Sequence, residues 1–323
     1  TIFADGAMGS TPSGGKLTTY RELVTLASEM NQPDLIYKFM QLSAHNSLWN
    51  SKKGAAFATG ELAARAKSQI APYLPQLIPK LYRTSFDPNP KIAASMTSLM
   101  NTLVTDQKTA LSTYIHEVQR DLLDHIIDSQ WRTREACCTA LADLLPARDY
   151  EEVAVELKEL WERCFRVLDD IKESVRKAGE SFKKALSTLT LRLCDPSYTN
   201  REHGKMALEV ALPHLVGKGL LSPVKEVQSI SVNMLLKISK VASFLLKPHV
   251  AQIIPVLLKS LATLDSSTLN YLEQHASSYG LSAELFDEAR VSMSKNSPFH
   301  ATIDFCVQQV DTQNIQDLSP ELA

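Results

Sequence analysis

The glycine-rich stretch near the start of the chain comes closest to a catalytic motif. Its sequence, Gly9-Ser-Thr-Pro-Ser-Gly-Gly-Lys16-Leu17, resembles the phosphate-binding pattern GxxxxGK[ST], in which backbone N–H groups cradle phosphates and a hydroxyl group holds magnesium. The first glycine of that pattern should stand at position 10, which is Ser10, and Leu17 replaces the hydroxyl residue. We therefore predict a flexible loop, and an enzyme that uses this loop as its site is the weakest alternative.

Histidine and cysteine side chains, which supply metal ligands and nucleophiles, show no metal-binding spacing. The eight histidines form no HxxxH or HExxH pair. The five cysteines are odd in number, contain no CxxC and include the adjacent pair Cys137-Cys138. This pattern favours buried structural thiols in a reducing compartment, with a reactive thiol pair at Cys137-Cys138 as an alternative. We predict no catalytic, cofactor-binding or metal-binding residue, no cofactor and no enzymatic activity.

Composition excludes several classes of partner. The 34 basic and 36 acidic residues give a formal net charge of -2, which does not suit a protein that must neutralise nucleic-acid phosphates. No apolar run reaches the ~18 residues of a membrane span, so no direct membrane insertion is expected. Acidic residues gather in 151–162 and basic residues in 172–184. We interpret both as solvated faces, with bridging between the two helices or partner binding as alternatives.

The elements that would carry any site are repeated helices. Glycine is scarce, at 11 residues in the chain, which indicates an all-α protein. A motif recurs five times and is clearest in Asp170-Ile-Lys-Glu-Ser-Val-Arg-Lys-Ala178. Its seventh position, which is basic or polar except for Ala93 in the second copy, falls at residues 53, 93, 134, 176 and 228, at spacings of 40, 41, 42 and 52. HEAT and armadillo units run about 40–47 residues, so we place an insertion in the last interval, around Cys194 to Glu202.

The first residue of the motif is Asp87, Asp128, Asp170 or Ser222 in the four clearest copies. We expect it near the turn into the second helix of each unit, where its side chain satisfies free backbone N–H groups. In HEAT units this aspartate also tends to pair with the basic residue of a neighbouring unit.

Apolar residues repeat at helical spacing, and two prolines fall inside such helices. Pro79 and Pro255 interrupt two similar apolar stretches, 72–81 and 248–257, where each would kink its helix. Three series at steps of 3 or 4 predict buried helix faces. They are Ile171, Val175, Ala178, Phe182, Ala185 and Leu189; Val227, Ile230, Met234, Ile238 and Val241; and Val250, Ile254, Leu257, Leu261 and Leu264.

These patterns predict an all-α fold, an α-solenoid (superhelix) of about six to seven HEAT-type helical hairpins. We expect residues 1–323 to form one continuous segment, with 1–17 as an inter-repeat loop. The predicted units are 33–66, 70–104, 109–145, 150–193, 203–243, 249–294 and a partial unit 298–323. The predicted helix pairs within them are 33–45 with 49–66, 70–84 with 89–104, 109–126 with 130–145, 150–168 with 171–192, 203–217 with 223–243, and 249–264 with 267–278.

Several strings are more specific than a generic HEAT consensus. They occupy 17–23, 31–40, 49–57, 71–79, 86–89, 169–178, 246–249 and 269–272, for example Ala71-Pro-Tyr-Leu-Pro-Gln-Leu-Ile-Pro79 and Leu246-Lys-Pro-His249. Together they resemble the family of large proteasome adapter and scaffold proteins over nearly the whole chain. The likeness departs most in the third and fourth units and after Asp195.

The resemblance implies a function that spacing alone does not show. The parent would be a very long HEAT protein that binds the core particle and the regulatory cap of the 26S proteasome and stabilises their junction. It would also restrain proteasome activity in faulty assemblies and link proteasomes to vesicles such as endosomes, the endoplasmic reticulum or motor proteins. The implied location is cytoplasmic, extending to the nucleus and to endosome or endoplasmic reticulum surfaces through partners. Because the chain begins at Thr1, we expect an internal fragment of that parent.

Fold analogy leaves one alternative function, a HEAT-repeat scaffold of another type, either a transport receptor or a phosphatase scaffold. Transport receptors tend to be strongly acidic, and the net charge of -2 fits them poorly.

Overall fold

The structure of the protein is a computed structural model that describes residues 71–104, 106–262 and part of 288–320, mainly 297–311. The chain divides into two compact units, Thr1–Ala140 and Leu141–Ala323. The predicted loop 1–17 with its Gly9–Lys16 stretch, the predicted unit 33–66, the motif copy at 47–55 and the predicted helix 267–278 lie outside the described residues.

The described residues form helices joined by turns and short connections, with no strand among them. The α-helices are α1 Leu74–Thr84, α2 Pro90–Leu103, α3 Gln107–Thr113, α4 Ile115–His125, α5 Trp131–Leu144, α6 Tyr150–Val153, α7 Leu157–Leu168, α8 Glu173–Cys194, α9 Arg201–Pro213, α10 Lys225–Ala242, α11 Val250–Ala262 and α12 Pro298–Val307. Short 3-10 turns occupy Ala71–Tyr73, Leu145–Ala147 and Ser243–His249, and a π-helical segment runs His214–Leu220.

The first unit is built around α1, which packs on α2 and α4. Leu77, Ile78 and Leu81 of α1 are fully buried, and burying such a side chain contributes about 1.5–3 kcal/mol. Arg83 Nε donates a hydrogen bond of 2.7 Å to Asp121 Oδ2, and both side chains are only 11% exposed. This ion pair joins the first helices of two successive hairpins.

The second unit has the same construction, with α7 packed on α8, α8 on α9, and α10 on both the π-helical segment and α12. Trp161 of α7 and Phe182 of α8 are its largest fully buried side chains. Arg192, near the end of α8, donates to the backbone oxygens of Pro146 and Arg148, with 2.7 Å to Pro146. These hydrogen bonds join the end of α8 to the connection that precedes its own hairpin.

Gly219 marks the closest approach between two elements of the second unit. A Cβ atom added there would lie 2.0 Å from Ser231 Oγ of α10, whereas a Cβ at Gly217 in the same segment would meet no atom within 4 Å. The absence of a side chain at Gly219 therefore lets the π-helical segment pack directly on α10.

The predicted helix pairs between 70 and 262 correspond to helices in the structure, with three differences. Helix 109–126 is two helices that meet at Tyr114, and helix 150–168 is interrupted between Val153 and Leu157. Helix 203–217 ends as an α-helix at Pro213 and continues to Leu220 as the π-helical segment. Two glycines in that segment have low helix propensity, which accounts for the change of winding. The division into units remains a prediction.

The predicted insertion around Cys194 to Glu202 lies mostly earlier in the chain. The connection between α8 and α9 covers 195–200 and the one between α5 and α6 covers 145–149, so the two are nearly equal in length. Helix α8 runs for 22 residues where α5 runs for 14. The extra length therefore lies mainly in the helix.

Candidate interaction surface

The turn between the two helices of a hairpin contains the recurring motif, and its first residue caps this turn as predicted. Oδ1 of Asp87, Asp128 and Asp170 accepts a hydrogen bond from the backbone N–H two residues later, at 2.7, 2.7 and 2.8 Å. Ser222 Oγ accepts the equivalent bond from Val224 at 3.2 Å. Asp and Ser favour such turns because a short side chain can bond to the adjacent backbone.

The arginine that marks the repeat closes its own turn. Arg134 Nη1 donates to the backbone oxygens of Asp128 and Ser129 at 2.9 and 3.1 Å. Arg176 Nη1 donates to the backbone oxygen of Asp170 at 2.6 Å. Since an arginine six residues beyond the aspartate reaches back over one helical turn, the spacing of these two residues within the motif has a direct structural cause.

One aspartate of the motif does pair with a neighbouring hairpin in the first unit. Asp87 Oδ1 accepts a hydrogen bond of 2.6 Å from Arg132 Nη2. The prediction of a link to the adjacent unit is right for Asp87, but the basic partner is Arg132 and not the repeat marker Arg134. The marker is already bound to the carbonyl groups of its own turn.

Exposed aliphatic side chains lie beside the capping residue in three of these turns. Ile171, directly after Asp170, is 95% exposed, and Leu221, directly before Ser222, is 57% exposed. Ile127 occupies the corresponding place before Asp128 in the first unit and is 43% exposed. Large apolar side chains in contact with solvent are candidates for burial against a partner.

Ile171 corrects one of the predicted helix faces. The helical series in the sequence predicts that it shares a buried face with Val175 and Phe182, and those two residues are fully buried. Helix α8 begins only at Glu173, so Ile171 lies in the turn and does not share the direction of the helical series. In the sequence, the position of Ile171 directly after the turn residue Asp170 is the feature that could have indicated its exposure to solvent.

The opposite end of the hairpins in the second unit is aromatic. Tyr198, in the connection before α9, is 75% exposed, and Arg201 lies over the ring of the half-exposed Phe244 at 4.8 Å from its centroid. The ring of Tyr150 stacks on His203 at 4.8 Å. Tyrosine and arginine are enriched among the residues that dominate binding at protein interfaces.

Charged residues of the acidic range 151–162 and the basic range 172–184 form ion pairs within their own helix or with the following hairpin. Glu159 pairs with Arg163 in α7, and Lys177 pairs with Glu173 in α8. Oε1 of Glu162 accepts hydrogen bonds from Lys218 Nζ at 2.7 Å and lies 3.2 Å from His214 Nε2. The hydrogen bond from Lys218 lowers the pKa of Glu162, with a further contribution from His214.

All five cysteines are buried, and none of them forms a disulfide. Burial raises the pKa of Cys137 well above its usual range, raises that of Cys194 to about 12 and raises that of Cys306 to about 11. Because the thiolate is the reactive form, these environments favour structural cysteines over the reactive pair at Cys137-Cys138. Within the described part of the chain, no group of three or more His, Cys, Asp or Glu residues could hold a metal ion.

Comparison with known proteins gives these surfaces a context. The family model described as "Proteasome adapter and scaffold protein ECM29, HEAT-repeat domain" matches residues 246–323. The chain is 47% identical over 321 residues, 99% of its length, to "Proteasome adapter and scaffold protein ECM29" of Homo sapiens. The chain belongs to the ECM29 family. It is also 38% identical over 345 residues to "Proteasome-associated protein ECM29 homolog" of Drosophila melanogaster, and 32% identical over 326 residues to "Proteasome component ECM29" of Saccharomyces cerevisiae.

Each of these ECM29 proteins is much longer than the present chain. The matches cover 99%, 99% and 98% of this chain but only 17%, 18% and 17% of the human, fly and yeast proteins. None of the helices in the described residues is long and apolar enough to cross a membrane. The described hairpins therefore represent a HEAT-repeat portion of the ECM29 sequence, in agreement with the predicted fold class.

Proposed function

We propose that this chain is a non-catalytic, protein-binding segment of a proteasome adapter and scaffold, and that it helps to hold the core particle and the regulatory cap together. The observation that carries the proposal is the 47% identity to the human ECM29 protein over 99% of the chain. The match covers 321 residues of this chain and therefore extends over the described hairpins, so the likeness is not confined to one motif.

The exposed turns support a binding role. Ile171 and Leu221 are available for burial, and apolar surface buried against a partner contributes about 25 cal/mol per Å² before the costs of association. Several modest contacts, each supplied by a different hairpin, suit an adapter better than a single deep pocket would.

The proposal includes a cytoplasmic location, with nuclear, endosomal or endoplasmic reticulum pools reached through partners. It also includes links to vesicles, the endoplasmic reticulum or motor proteins, which the family resemblance implied. The buried thiols, none of which forms a disulfide, are compatible with a reducing compartment.

Binding to purified proteasomes tests the proposal. The chain and its full-length parent would each be immobilised and offered the 26S proteasome, the isolated core particle, the isolated cap and a GTP-loaded small GTPase. We expect retention of the 26S proteasome, and cross-linking mass spectrometry should then show which lysines contact which subunit. Retention of the GTPase instead would favour a transport receptor, and failure of the parent to retain any proteasome particle would overturn the proposal.

A further inference from the structure

Ser222 stands where the other described turns have an aspartate. Asp87, Asp128 and Asp170 accept their backbone hydrogen bonds at 2.7–2.8 Å, whereas Ser222 Oγ accepts the N–H of Val224 at 3.2 Å. The serine reproduces the position of the acceptor but lacks the negative charge. A phosphate group on this hydroxyl would supply that charge.

The sequence around Ser222 is a substrate pattern for one class of kinase. Pro223 follows directly and Lys225 stands three positions after the serine. A proline at the first position and a basic residue at the third form the pattern preferred by cyclin-dependent kinases. The chain has three further Ser-Pro or Thr-Pro pairs, at 11–12, 297–298 and 319–320, and they have Gly14, His300 and Leu322 at the third position.

The turn presents this pattern to solvent. Leu221, Pro223, Lys225 and Glu226 are exposed, and Ser222 itself is half-buried. The other well-described pair is less accessible, because the residues that follow Ser297 are half-buried or buried: Pro298 and His300 are half-buried and Phe299 is buried. Accessibility and sequence therefore favour the same serine.

We propose that Ser222 is a phosphorylation site for a proline-directed serine kinase that requires a basic residue at the third position. Ser222 Oγ attacks the γ-phosphorus of ATP, the bond to the β,γ-bridging oxygen breaks and ADP leaves. The hydroxyl proton passes to the catalytic aspartate of the kinase. The phosphate carries a charge of about -1.5 to -2 at neutral pH.

Phosphorylation converts this turn into the anionic form that the described turns at Asp87, Asp128 and Asp170 have permanently. A phosphate oxygen accepts the Val224 N–H in a charge-assisted hydrogen bond, which is stronger than the bond to a neutral hydroxyl. The 18-residue helix α10 begins three residues after Ser222, and negative charge near a helix N-terminus is favourable. It also places charge beside the exposed Leu221, so a partner that buries this turn would meet a different surface.

Phosphorylation of the purified chain by a cyclin-dependent kinase, followed by peptide mapping, tests the assignment. We expect phosphate on Ser222 in the parent chain, none at that position in Ser222→Ala, and a several-fold lower initial rate in Lys225→Ala. The matched control Ser297→Ala should leave the rate at Ser222 unchanged. If a synthetic peptide of residues 217–229 is phosphorylated but the folded chain is not, or if Lys225→Ala reacts as fast as the parent, the assignment is wrong.

Hydrogen exchange at the Val224 amide tests the consequence for the turn. Exchange should be several-fold slower in the phosphorylated chain and in Ser222→Asp than in the unmodified chain, and faster in Ser222→Ala. Equal or faster exchange after phosphorylation would refute the view that phosphate replaces the aspartate of the other turns.

Discussion

Replacing Gly219 by alanine would force the π-helical segment and α10 apart. The new methyl carbon would lie 2.0 Å from Ser231 Oγ, 2.7 Å from Ser231 Cβ and 3.3 Å from Phe165 Cζ. Ser231 is fully buried, and its hydroxyl group donates to the backbone oxygen of Val227 at 2.7 Å. Rotation of the hydroxyl would break that bond and leave the contact with Cβ, which is fixed to the backbone of α10.

The substitution should therefore lower the free energy of unfolding of this region by about 1–3 kcal/mol, the usual cost of overpacking a core. Gly217→Ala is the matched control, because its Cβ would meet no atom within 4 Å. It should leave stability within about 0.5 kcal/mol of the parent, or raise it slightly through the higher helix propensity of alanine.

Urea unfolding followed by circular dichroism, with hydrogen exchange of the peptides that cover 214–235, would measure both effects. Exchange is needed because repeat units can unfold separately. Ser231→Gly removes both clashing atoms, so it should rescue Gly219→Ala, with a coupling energy of at least about 1 kcal/mol in a double-mutant cycle. If Gly219→Ala and Gly217→Ala were equally stable, the close approach at Gly219 would be refuted.

Four further predictions follow from the same structure. Asp87→Ala should lower stability by about 1–2 kcal/mol, because it removes a turn cap and an ion pair; Asp87→Asn keeps the cap and should cost less, and equal losses in urea unfolding would exclude a role for charge. None of the five thiols should react with an aromatic disulfide reagent at pH 8 before unfolding, and rapid reaction of any one would contradict its burial. Because the pKa of Glu162 is lowered in the folded state, its ionised carboxylate stabilises the fold at pH values above the unfolded pKa near 4.5, and this contribution is lost as the pH falls through the lower folded pKa. Glu162→Gln should therefore flatten the acid limb of a plot of unfolding free energy against pH, and an unchanged limb would argue against the Lys218 bond. Ile171→Glu should weaken proteasome binding without changing the melting temperature, whereas Val155→Glu, also at an exposed site, should leave binding unchanged. Equal binding by the two variants would show that the turn at Ile171 is not part of the binding surface.

Features set by neighbouring residues were predictable from the sequence. The capping role of Asp128 and Asp170 depends on a side chain and a backbone N–H only two residues apart, so the residue types were sufficient. The buried positions Val227, Met234 and Ile238 followed from helical periodicity, because a helix of 18 residues repeats its face several times.

Features that depend on where a helix begins, or on contacts between hairpins, were not predictable in the same way. Ile171 fits the helical series by spacing, and only the start of α8 at Glu173 removes it from the buried face. The choice of Arg132 over Arg134 as the partner of Asp87 depends on how one hairpin lies on the next. The close packing of 214–220 on α10 depends on the absence of a side chain at Gly219, which periodicity does not report.

The side-chain links between successive hairpins have a consequence for how the chain folds. They join residues 38, 45, 46 and 52 positions apart, for Arg83–Asp121, Asp87–Arg132, Pro146–Arg192 and Glu162–His214. Each of these links spans about one repeat, so an ordered hairpin in either unit can act as a template for the next hairpin along the chain. Folding of a unit can therefore start at one hairpin and spread to its neighbour, and the loss of a link acts first on the hairpin that it joins.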